Sequence, residues 1–373
     1  MRNPMLNGLT PAQFLQRHWQ KKPLLARASL PQFAALTGRR DLIELAQETQ
    51  AESRLVIRRG GRWQVRHGPF SRRDFSALPA RNWTLLVQGV NHLLPQAQAL
   101  LDRFAFIPHA RLDDLMVSYA PPGGGVGPHF DSYDVFLLQG EGRRRWQVSR
   151  QRDLALVDDA PLKILRHFRP GREWTLSAGD MLYLPPRYAH DGVALDDCIT
   201  YSVGFRAPSA QDLCSRFLDF LQDRLEVPGM YADPGLKPTR TPGHIDRNMT
   251  GRLLRLLDGV RWTRDDLLQF IGEDLSTPKP HVVFAAPQRA LTAAAFAKSV
   301  AAGGLRLAPQ TLLLYDDKAF YINGERCVVG AGAGARIRRL ADRRFLPAGT
   351  LPARAAGALY AWYRAGYLIP GAR

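Results

Sequence analysis

The sequence predicts an α+β fold, in which a double-stranded β-helix (jelly-roll) barrel is followed by a helical module and a winged-helix-like C-terminal domain. Three observations support this order. Short apolar segments bounded by Gly and Pro turns fill residues 101–208, leucine-rich helical stripes follow them, and helices combine with a small hairpin near the C-terminus. We expect a barrel domain with a mixed N-terminal extension over 1–208, a helical module over 209–275 and a C-terminal domain over 276–373.

The region before the barrel has mixed signals. Pro11 to Trp19 is typical of a short helix with Thr10 as its N-cap. Leu55 to Val65 predicts a hairpin that turns at Gly60-Gly61. Trp83 to Asn91 is apolar with few breaks, which fits either a strand or a buried helix.

The most informative motif is His129-Phe-Asp131, which follows a glycine-rich loop and precedes the apolar strand Val135–Leu138. On a strand, residues two apart point to the same face, so this spacing aims an imidazole and a carboxylate into one space. His190, after a Gly-Asp turn, a short strand and a Pro-Pro corner, could complete a three-ligand face. Two His and one carboxylate with open positions are the ligand set of non-haem Fe(II) oxygenases. A bare H-x-D is also common on solvated surfaces, and the glycine-rich loop and the strands around this one make a metal site more specific.

A second feature is the run from Arg143 to Val148, which predicts a strand after the turn at Gly142. Its alternation places Arg144, Trp146 and Val148 on one face, which we expect to be the barrel interior. An inward guanidinium needs an anion, because burying an unpaired charge is very costly. The distal carboxylate of 2-oxoglutarate would supply one in bidentate fashion, and a structural Asp or Glu is the alternative.

Several longer segments carry a family resemblance. They are Arg111–Ser118, Gly123–Asp131, Tyr133–Phe136, Gln139–Trp146 and Thr200–Pro208, preceded by Phe14–Pro23, Trp63–Phe70 and Asn82–Gln88. This set resembles the bacterial JmjC-type (cupin-like) ribosomal oxygenases, densely up to about Pro208 and more thinly beyond.

The resemblance implies an Fe(II)- and 2-oxoglutarate-dependent dioxygenase that uses O2 to hydroxylate an arginine in a large-subunit ribosomal protein and releases succinate and CO2. It places the iron ligands, and hence the catalytic centre, at His129, Asp131 and His190, and the basic residue that binds 2-oxoglutarate at Arg144. Ser118 matches a polar position that lines the same pocket. The resemblance also favours a homodimer formed through the helical module.

The C-terminal half reads as two helical regions separated by turns. Ser209 with Asp212 starts a helix that reaches about Leu225, a Pro/Gly-rich linker covers 227–243, and Thr250 to Ile271 is helical again. Such paired helices could form a core or could bury against a second copy of the chain. Beyond residue 276, an Ala-rich helix, short strands and a closing helix predict the winged-helix-like domain.

Composition limits the location that we expect. There is no N-terminal apolar segment of the signal-peptide kind and no apolar run near 18 residues, which predicts a protein without a membrane span. Cys198, Cys214 and Cys327 are few and scattered, so they predict neither a disulfide framework nor a zinc site. Both observations favour the reducing cytoplasm.

The net charge of +17 favours polyanionic partners, and ribosomal RNA near the substrate is one of them. Arginine enrichment from a GC-rich genome would give the same charge without any function. A basic enzyme that acts on a basic loop needs a local acidic patch near the mouth of its site. Candidates for that patch are Asp113, Asp114, Asp134, Asp158, Asp159 and Asp191.

Two alternatives stay open on the residues alone. An oxygenase of the same type could act on a His or Lys of another protein, or on RNA. A non-enzymatic cupin-like barrel with a basic surface could bind the ribosome. The intact triad together with an inward Arg144 argues against the second, because a vestigial metal site has no need of an anion-binding residue.

Overall fold

Two facing β-sheets form the barrel at the centre of the molecule. A computed structural model describes residues 3–30, 35–329 and 334–371. The barrel strands are β1 (Leu24–Ala26), β2 (Ser53–Arg59), β3 (Arg62–His67), β4 (Trp83–Val87), β5 (Leu112–Ala120), β6 (Asp134–Glu141), β7 (Arg144–Ser149), β8 (Arg172–Leu176), β9 (Met181–Leu184), β10 (Ala189–Ala194) and β11 (Cys198–Phe205). The larger sheet has the order β1-β9-β6-β11-β5-β4-β2-β3 and the smaller one the order β10-β7-β8, with every pair antiparallel.

Short N-terminal helices cover the outer face of the larger sheet. They are α1 (Pro11–Arg17), α2 (Arg39–Leu45), α3 (Arg72–Ser76), α4 (Val90–Leu93) and α5 (Ala97–Leu101). Phe14, Leu42 and Leu100 pack there against the side chains of β5 and β11 that face outward. The predicted start of α1 is confirmed, since the Thr10 hydroxyl accepts the Gln13 backbone N–H at 3.2 Å.

Apolar side chains on the inner faces of the two sheets pack against each other. Val135 and Leu137 of β6 belong there to one buried cluster with Trp146 and Val148 of β7. Each large apolar side chain that is fully buried stabilises the fold by about 1.5–3 kcal/mol. These side chains fill part of the space between the sheets, and Val135, Leu137 and Trp146 also line a cavity inside the barrel.

The prediction that the H-x-D motif lies on a strand is wrong. His129 makes a single β-bridge with His190 of β10, and the backbone turns at Ser132 and Tyr133 before β6 begins. Pro128 lacks a backbone N–H and cannot extend the ladder toward the N-terminus. Backbone hydrogen bonds still fix the segment, because His129 N–H donates to His190 O at 2.9 Å and Arg187 N–H donates to Asp131 O at 2.7 Å.

Three helices follow the barrel, namely α6 (Ala210–Gln222), α7 (Arg247–Leu257) and α8 (Arg264–Ser276). The continuous helix expected from Thr250 to Ile271 is wrong, because a break at 258–263 separates α7 from α8. Thr263 caps the new helix with its hydroxyl, which explains the break locally. Helices α6 and α8 contact each other through Phe220 and Phe270 and through an ion pair of Arg216 with Asp274 at 2.6 Å.

The C-terminal region forms a separate core of helices and small sheets. Its elements are α9 (Ala293–Gly303), β12 (Leu305–Leu307), β13 (Leu313–Tyr315), β14 (Phe320–Ile322), β15 (Glu325–Cys327), α10 (Gly334–Arg343), β16 (Phe345–Leu346), α11 (Ala353–Arg364) and β17 (Leu368–Pro370). Phe296, Ile337 and Leu359 lie buried at its centre, and the expected combination of helices with a small hairpin is present.

Two further expectations concern the whole chain. Within the described ranges, Cys198, Cys214 and Cys327 are all free thiols. No helix in the part of the chain that the structure describes has the length and apolar character needed to span a membrane.

Candidate metal centre

Three potential ligands converge inside the barrel. One donor atom from each of His129, Asp131 and His190 lies within 4.8 Å of the other two. His190 Nε2 is 3.6 Å from Asp131 Oδ2, and the two imidazole ring centres are 4.2 Å apart. The β-bridge between the two His residues holds their side chains together, so the residues that the sequence predicted as a triad do share one site.

Backbone carbonyl groups determine the tautomer of both imidazoles. His129 Nδ1 lies 2.8 Å from Gly127 O, and His190 Nδ1 lies 2.9 Å from Tyr188 O. A carbonyl oxygen can only accept, so each Nδ1 must carry the proton and each Nε2 keeps a free lone pair. Outer hydrogen bonds of this kind orient His ligands toward a metal.

The environment keeps His190 neutral. Burial lowers its pKa to about 4, with the neighbouring His129 acting in the same direction. A neutral imidazole is the form that binds a metal, so at neutral pH no proton has to leave before binding.

The Trp146 ring lies 5.8 Å from the His190 ring and fills the space over Gly192, where an added Cβ would come within 2.6 Å of the indole.

Arg144 is buried on β7, the strand that pairs with β10 of His190, and it faces the inside of the barrel as its strand parity predicted. The residue is 5% exposed, and its Nε and Nη2 atoms have no hydrogen-bond partner among the described residues. Its guanidinium lies 5.7 Å from the centre of the Trp146 ring. Within the described ranges no Asp or Glu forms an ion pair with it, although Asp191 lies close enough for Arg144 to lower the pKa of its carboxyl, so the structural-carboxylate alternative has no direct contact behind it.

The triad and Arg144 line one cavity of about 440 Å³, which we call the barrel cavity. This volume lies within the range of small-molecule sites. Ser118 of β5 also lines the cavity, and its hydroxyl is 3.5 Å from the Thr200 carbonyl oxygen. The five residues predicted for the site therefore lie around a single space.

A second guanidinium in the cavity escaped the sequence analysis. Arg54 of β2 lines the same space and has a buried Nε without a hydrogen-bond partner in the described part of the chain. Its strand reads Leu55-Val56-Ile57, a continuous apolar run. In a continuous apolar run, apolar and polar residues do not alternate, so the sequence does not show which residues face the inside of the barrel. The inward orientation of Arg54 could therefore not be predicted.

The structure separates the acidic candidates. Asp113 and Asp114 line the barrel cavity. Asp134 lies on the other face of the larger sheet, where it accepts hydrogen bonds from the Tyr183 hydroxyl at 2.6 Å and from Arg111 at 3.1 Å. Asp158, Asp159 and Asp191 are not among the described residues that line the cavity. The acidic patch of the site thus consists of Asp113 and Asp114.

Two family models match the chain. A JmjC domain matches residues 99–213, which include the triad, Arg144 and Ser118. A ROXA-like winged helix matches residues 259–369.

Individual relatives agree with these matches. The chain is 38% identical over 278 residues to ribosomal protein uL16 3-hydroxylase of Escherichia coli, covering 74% of each chain. It is 44% identical over 210 residues to a probable ribosomal oxygenase of Haemophilus influenzae, covering 55% of this chain and 52% of that one. Among solved structures, the ribosomal oxygenase YcfD of Escherichia coli in complex with cobalt and 2-oxoglutarate is similar with a TM-score of 0.83 and 33% identity, over 97% of this chain and 98% of that chain.

The geometry predicts a metal-dependent gain in stability that requires Asp131. A ligand that binds the native state at 100 times its Kd stabilises it by about 2.7 kcal/mol. We expect Co²⁺, a redox-stable probe, to raise the Tm of the wild-type protein and to leave the Tm of Asp131→Ala unchanged, as measured by calorimetry.

A matched control is available on the surface. Asp153 also pairs with an imidazole, that of His167 at 3.2 Å, but both side chains are exposed and lie outside the barrel cavity. Asp153→Ala should keep the full Co²⁺-dependent shift. An equal shift in Asp131→Ala and the wild type would show that the metal binds elsewhere.

Proposed function

The chain belongs to the family of JmjC-domain ribosomal oxygenases, and we propose that it hydroxylates an arginine side chain of a large-subunit ribosomal protein. Its class is that of the Fe(II)- and 2-oxoglutarate-dependent dioxygenases, which consume O2 and release succinate and CO2. The relative from Escherichia coli is a hydroxylase of ribosomal protein uL16 by name, which supports this class of substrate.

The residues present fit the metal. His129, Asp131 and His190 offer two imidazole nitrogens and one carboxylate oxygen, and the cavity lies on the side that they leave free. This donor set and its open side are those of the facial-triad Fe(II) sites, so we assign the three residues as the iron ligands. When bound, the iron with 2-oxoglutarate and O2 supplies the oxidation of an unactivated C–H bond.

We assign Arg144 and Ser118 to 2-oxoglutarate. The buried guanidinium needs an anion, and a dicarboxylate that reaches from the metal toward β7 would bring one to it. Two parallel N–H···O bonds to the distal carboxylate would satisfy nitrogens that otherwise have no partner. Ser118, with its hydroxyl near Thr200, would add a neutral hydrogen bond at the same end.

The substrate arginine would occupy the other end of the cavity. Ser118, Met116 and Asp114 alternate along β5 on its inner face, and all three line the cavity. At about 3.3 Å per residue, Asp114 lies roughly 13 Å along the strand from Ser118. The apolar Met116 would contact the arginine stem between them, while Asp114 and Asp113 receive the guanidinium.

The acidic pair in the cavity favours an arginine side chain as the substrate. The chain has a net charge of +17, yet two adjacent carboxylates face its catalytic cavity. Lys279 and Arg206 pair with these carboxylates, and the remaining carboxylate oxygens can accept hydrogen bonds from a guanidinium, which an arginine of a ribosomal protein supplies. The excess positive charge elsewhere on the protein would favour ribosomal RNA beside the substrate, which we propose as a second partner.

The proposed activity has a direct mass readout. Purified protein with Fe(II), 2-oxoglutarate and fragments of the host's large-subunit ribosomal proteins should add one oxygen to one arginine. The gain should require 2-oxoglutarate and be absent in His129→Ala. Oxygen found on a His, a Lys or RNA would move the substrate elsewhere, and neither oxygen transfer nor succinate would support a binding protein without activity.

The role of Arg144 predicts a selective loss. Arg144→Ala should raise the KM for 2-oxoglutarate at least about 100-fold, because breaking a buried charge pair costs about 3–5 kcal/mol. Arg144→Lys should restore part of this loss, since it keeps the charge without the bidentate geometry. Steady-state kinetics at saturating substrate measure both.

Arg143 provides the control for that experiment. It is adjacent in sequence but exposed, and it pairs with Asp196 at 2.8 Å. Arg143→Ala should leave the KM for 2-oxoglutarate unchanged. If Arg144→Ala also leaves the KM for 2-oxoglutarate unchanged, another cation of the cavity must bind the distal carboxylate. Arg54, a second guanidinium in the cavity, would be the first candidate.

We also propose that α6, α7 and α8 form a dimerisation module. The chain would then consist of a barrel domain over 1–208, this helical module over 209–275 and a C-terminal domain over 276–373. Helix α7 has no buried residue in the described structure, and its Leu254 and Leu257 are 54% and 66% exposed. Leu218 on α6 and Ile271 on α8 are exposed too. Exposed apolar side chains on three successive helices are typical of an interface, and a second copy would cover them symmetrically.

Light scattering tests the dimer. The wild type should have twice the chain mass of 41.7 kDa, and Leu257→Glu should have the mass of one chain. Val328→Glu is the control, because Val328 is equally exposed, at 65%, but lies outside the three helices. A wild-type protein that is monomeric at micromolar concentration would contradict the proposal.

A further inference from the structure

Lys279 reaches the acidic pair of the catalytic cavity from behind. Its Nζ lies 3.0 Å from Asp113 Oδ1 and 3.3 Å from Asp114 Oδ2. Asp113 and Asp114 line the barrel cavity, while Lys279 lines a small neighbouring cavity of about 60 Å³ between the barrel and the C-terminal region. Asp113 also lines this smaller cavity, so the acidic pair lies at the boundary between the two spaces, and Lys279 contacts it without lining the barrel cavity.

The lysine comes from outside the barrel. It follows α8 by three residues, in the segment that connects that helix to α9. Its side chain is 27% exposed, comparable to Asp113 at 27% and more than Asp114 at 10%. Lys279 of the connecting segment thus supplies the ammonium group that pairs with Asp113 and Asp114 of β5.

The electrostatics of the pair require such a cation. Burial raises the pKa of the Asp114 carboxyl and the adjacent Asp113 raises it further, whereas Lys279 lowers it. Burial alone would lower the pKa of Lys279, but Asp114 and Asp113 raise it overall, so the ammonium stays charged at neutral pH. Without Lys279, Arg206 would still pair with Asp113, but the buried Asp114 would have no ion-pair partner among the described residues and would favour its protonated form.

The other groups around Asp114 do not replace Lys279. The Gly89 backbone N–H donates to the carboxylate, and the Tyr133 side chain lies close enough to respond to its charge. Arg206 pairs with Asp113 at 3.2 Å, on the other acid of the pair. Among the described residues, Lys279 is the cation in an ion pair with Asp114.

We propose that Lys279 is a positioning residue for the substrate cation: it favours the ionised form of Asp114 and orients Asp113 and Asp114 so that their free oxygens face the arginine. The proposal rests on the function proposed above. It links the placement of the segment after α8 to substrate recognition, without contact between the lysine and the substrate.

Binding of two peptides to the metal-free protein tests this role. One is the ribosomal-protein fragment with its target arginine, and the other carries citrulline there, which has the same shape without the charge. Wild type should bind the arginine peptide at least about tenfold more tightly, as expected for a charged hydrogen-bonded group. Lys279→Met should lose most of that preference, while binding of the citrulline peptide stays unchanged.

Two further readouts separate positioning from general damage. In Lys279→Met the acid limb of arginine-peptide binding should move to higher pH, because loss of the ammonium raises the pKa of Asp114 further. Lys279→Arg should restore the preference. With loaded enzyme, the KM for the peptide should rise about tenfold in Lys279→Met, with kcat and the KM for 2-oxoglutarate unchanged.

Lys318→Met is the matched control, since Lys318 pairs with Asp265 at 2.7 Å in the same half of the chain but outside the barrel cavity. It should bind both peptides as wild type does. If wild type hydroxylates the arginine and Lys279→Met keeps the full preference, the positioning role is wrong and the function stands. If wild type neither prefers nor hydroxylates the arginine peptide, both proposals fail together.

Discussion

The buried charge of Arg144 is the constraint on which the rest of the site depends. A guanidinium that is 5% exposed and has two nitrogens without partners would destabilise the fold unless an anion arrives with it. The triad of His129, Asp131 and His190 lines the same cavity, and His190 lies on β10, the strand that pairs with β7 of Arg144. A ligand that bridges the triad and Arg144 must therefore have a metal-binding end and an anionic end.

The two ends of β5 contribute residues to two different binding functions of the cavity. Ser118 lies at the end that we assign to the cosubstrate, and Asp114 lies at the end that we assign to the substrate cation. The two imidazoles are fixed by the carbonyls of Gly127 and Tyr188, so the triad is arranged before any metal binds. Such preorganisation reduces the free energy needed to assemble the reacting groups.

Sequence patterns predicted the parts of the site that depend on local order. The alternation in β7 identified Arg144, and the spacing of His129 and Asp131 identified the triad, although that segment is a bridged loop and not a strand. Contacts between distant segments carry no such signal. Lys279 is 165 residues from its partner Asp114 in the sequence. Arg54 precedes an apolar run that has no polar–apolar alternation, so its face could not be predicted.

The most direct test of this account is a calorimetric titration of the Co²⁺-loaded protein with 2-oxoglutarate and with 2-oxobutyrate. The two compounds share the metal-binding end, and 2-oxobutyrate lacks the distal carboxylate. The account predicts one 2-oxoglutarate bound per chain and binding of 2-oxobutyrate weakened at least about 100-fold, because Arg144 then keeps its unpaired charge. Equal affinity for the two compounds would contradict the central role of Arg144.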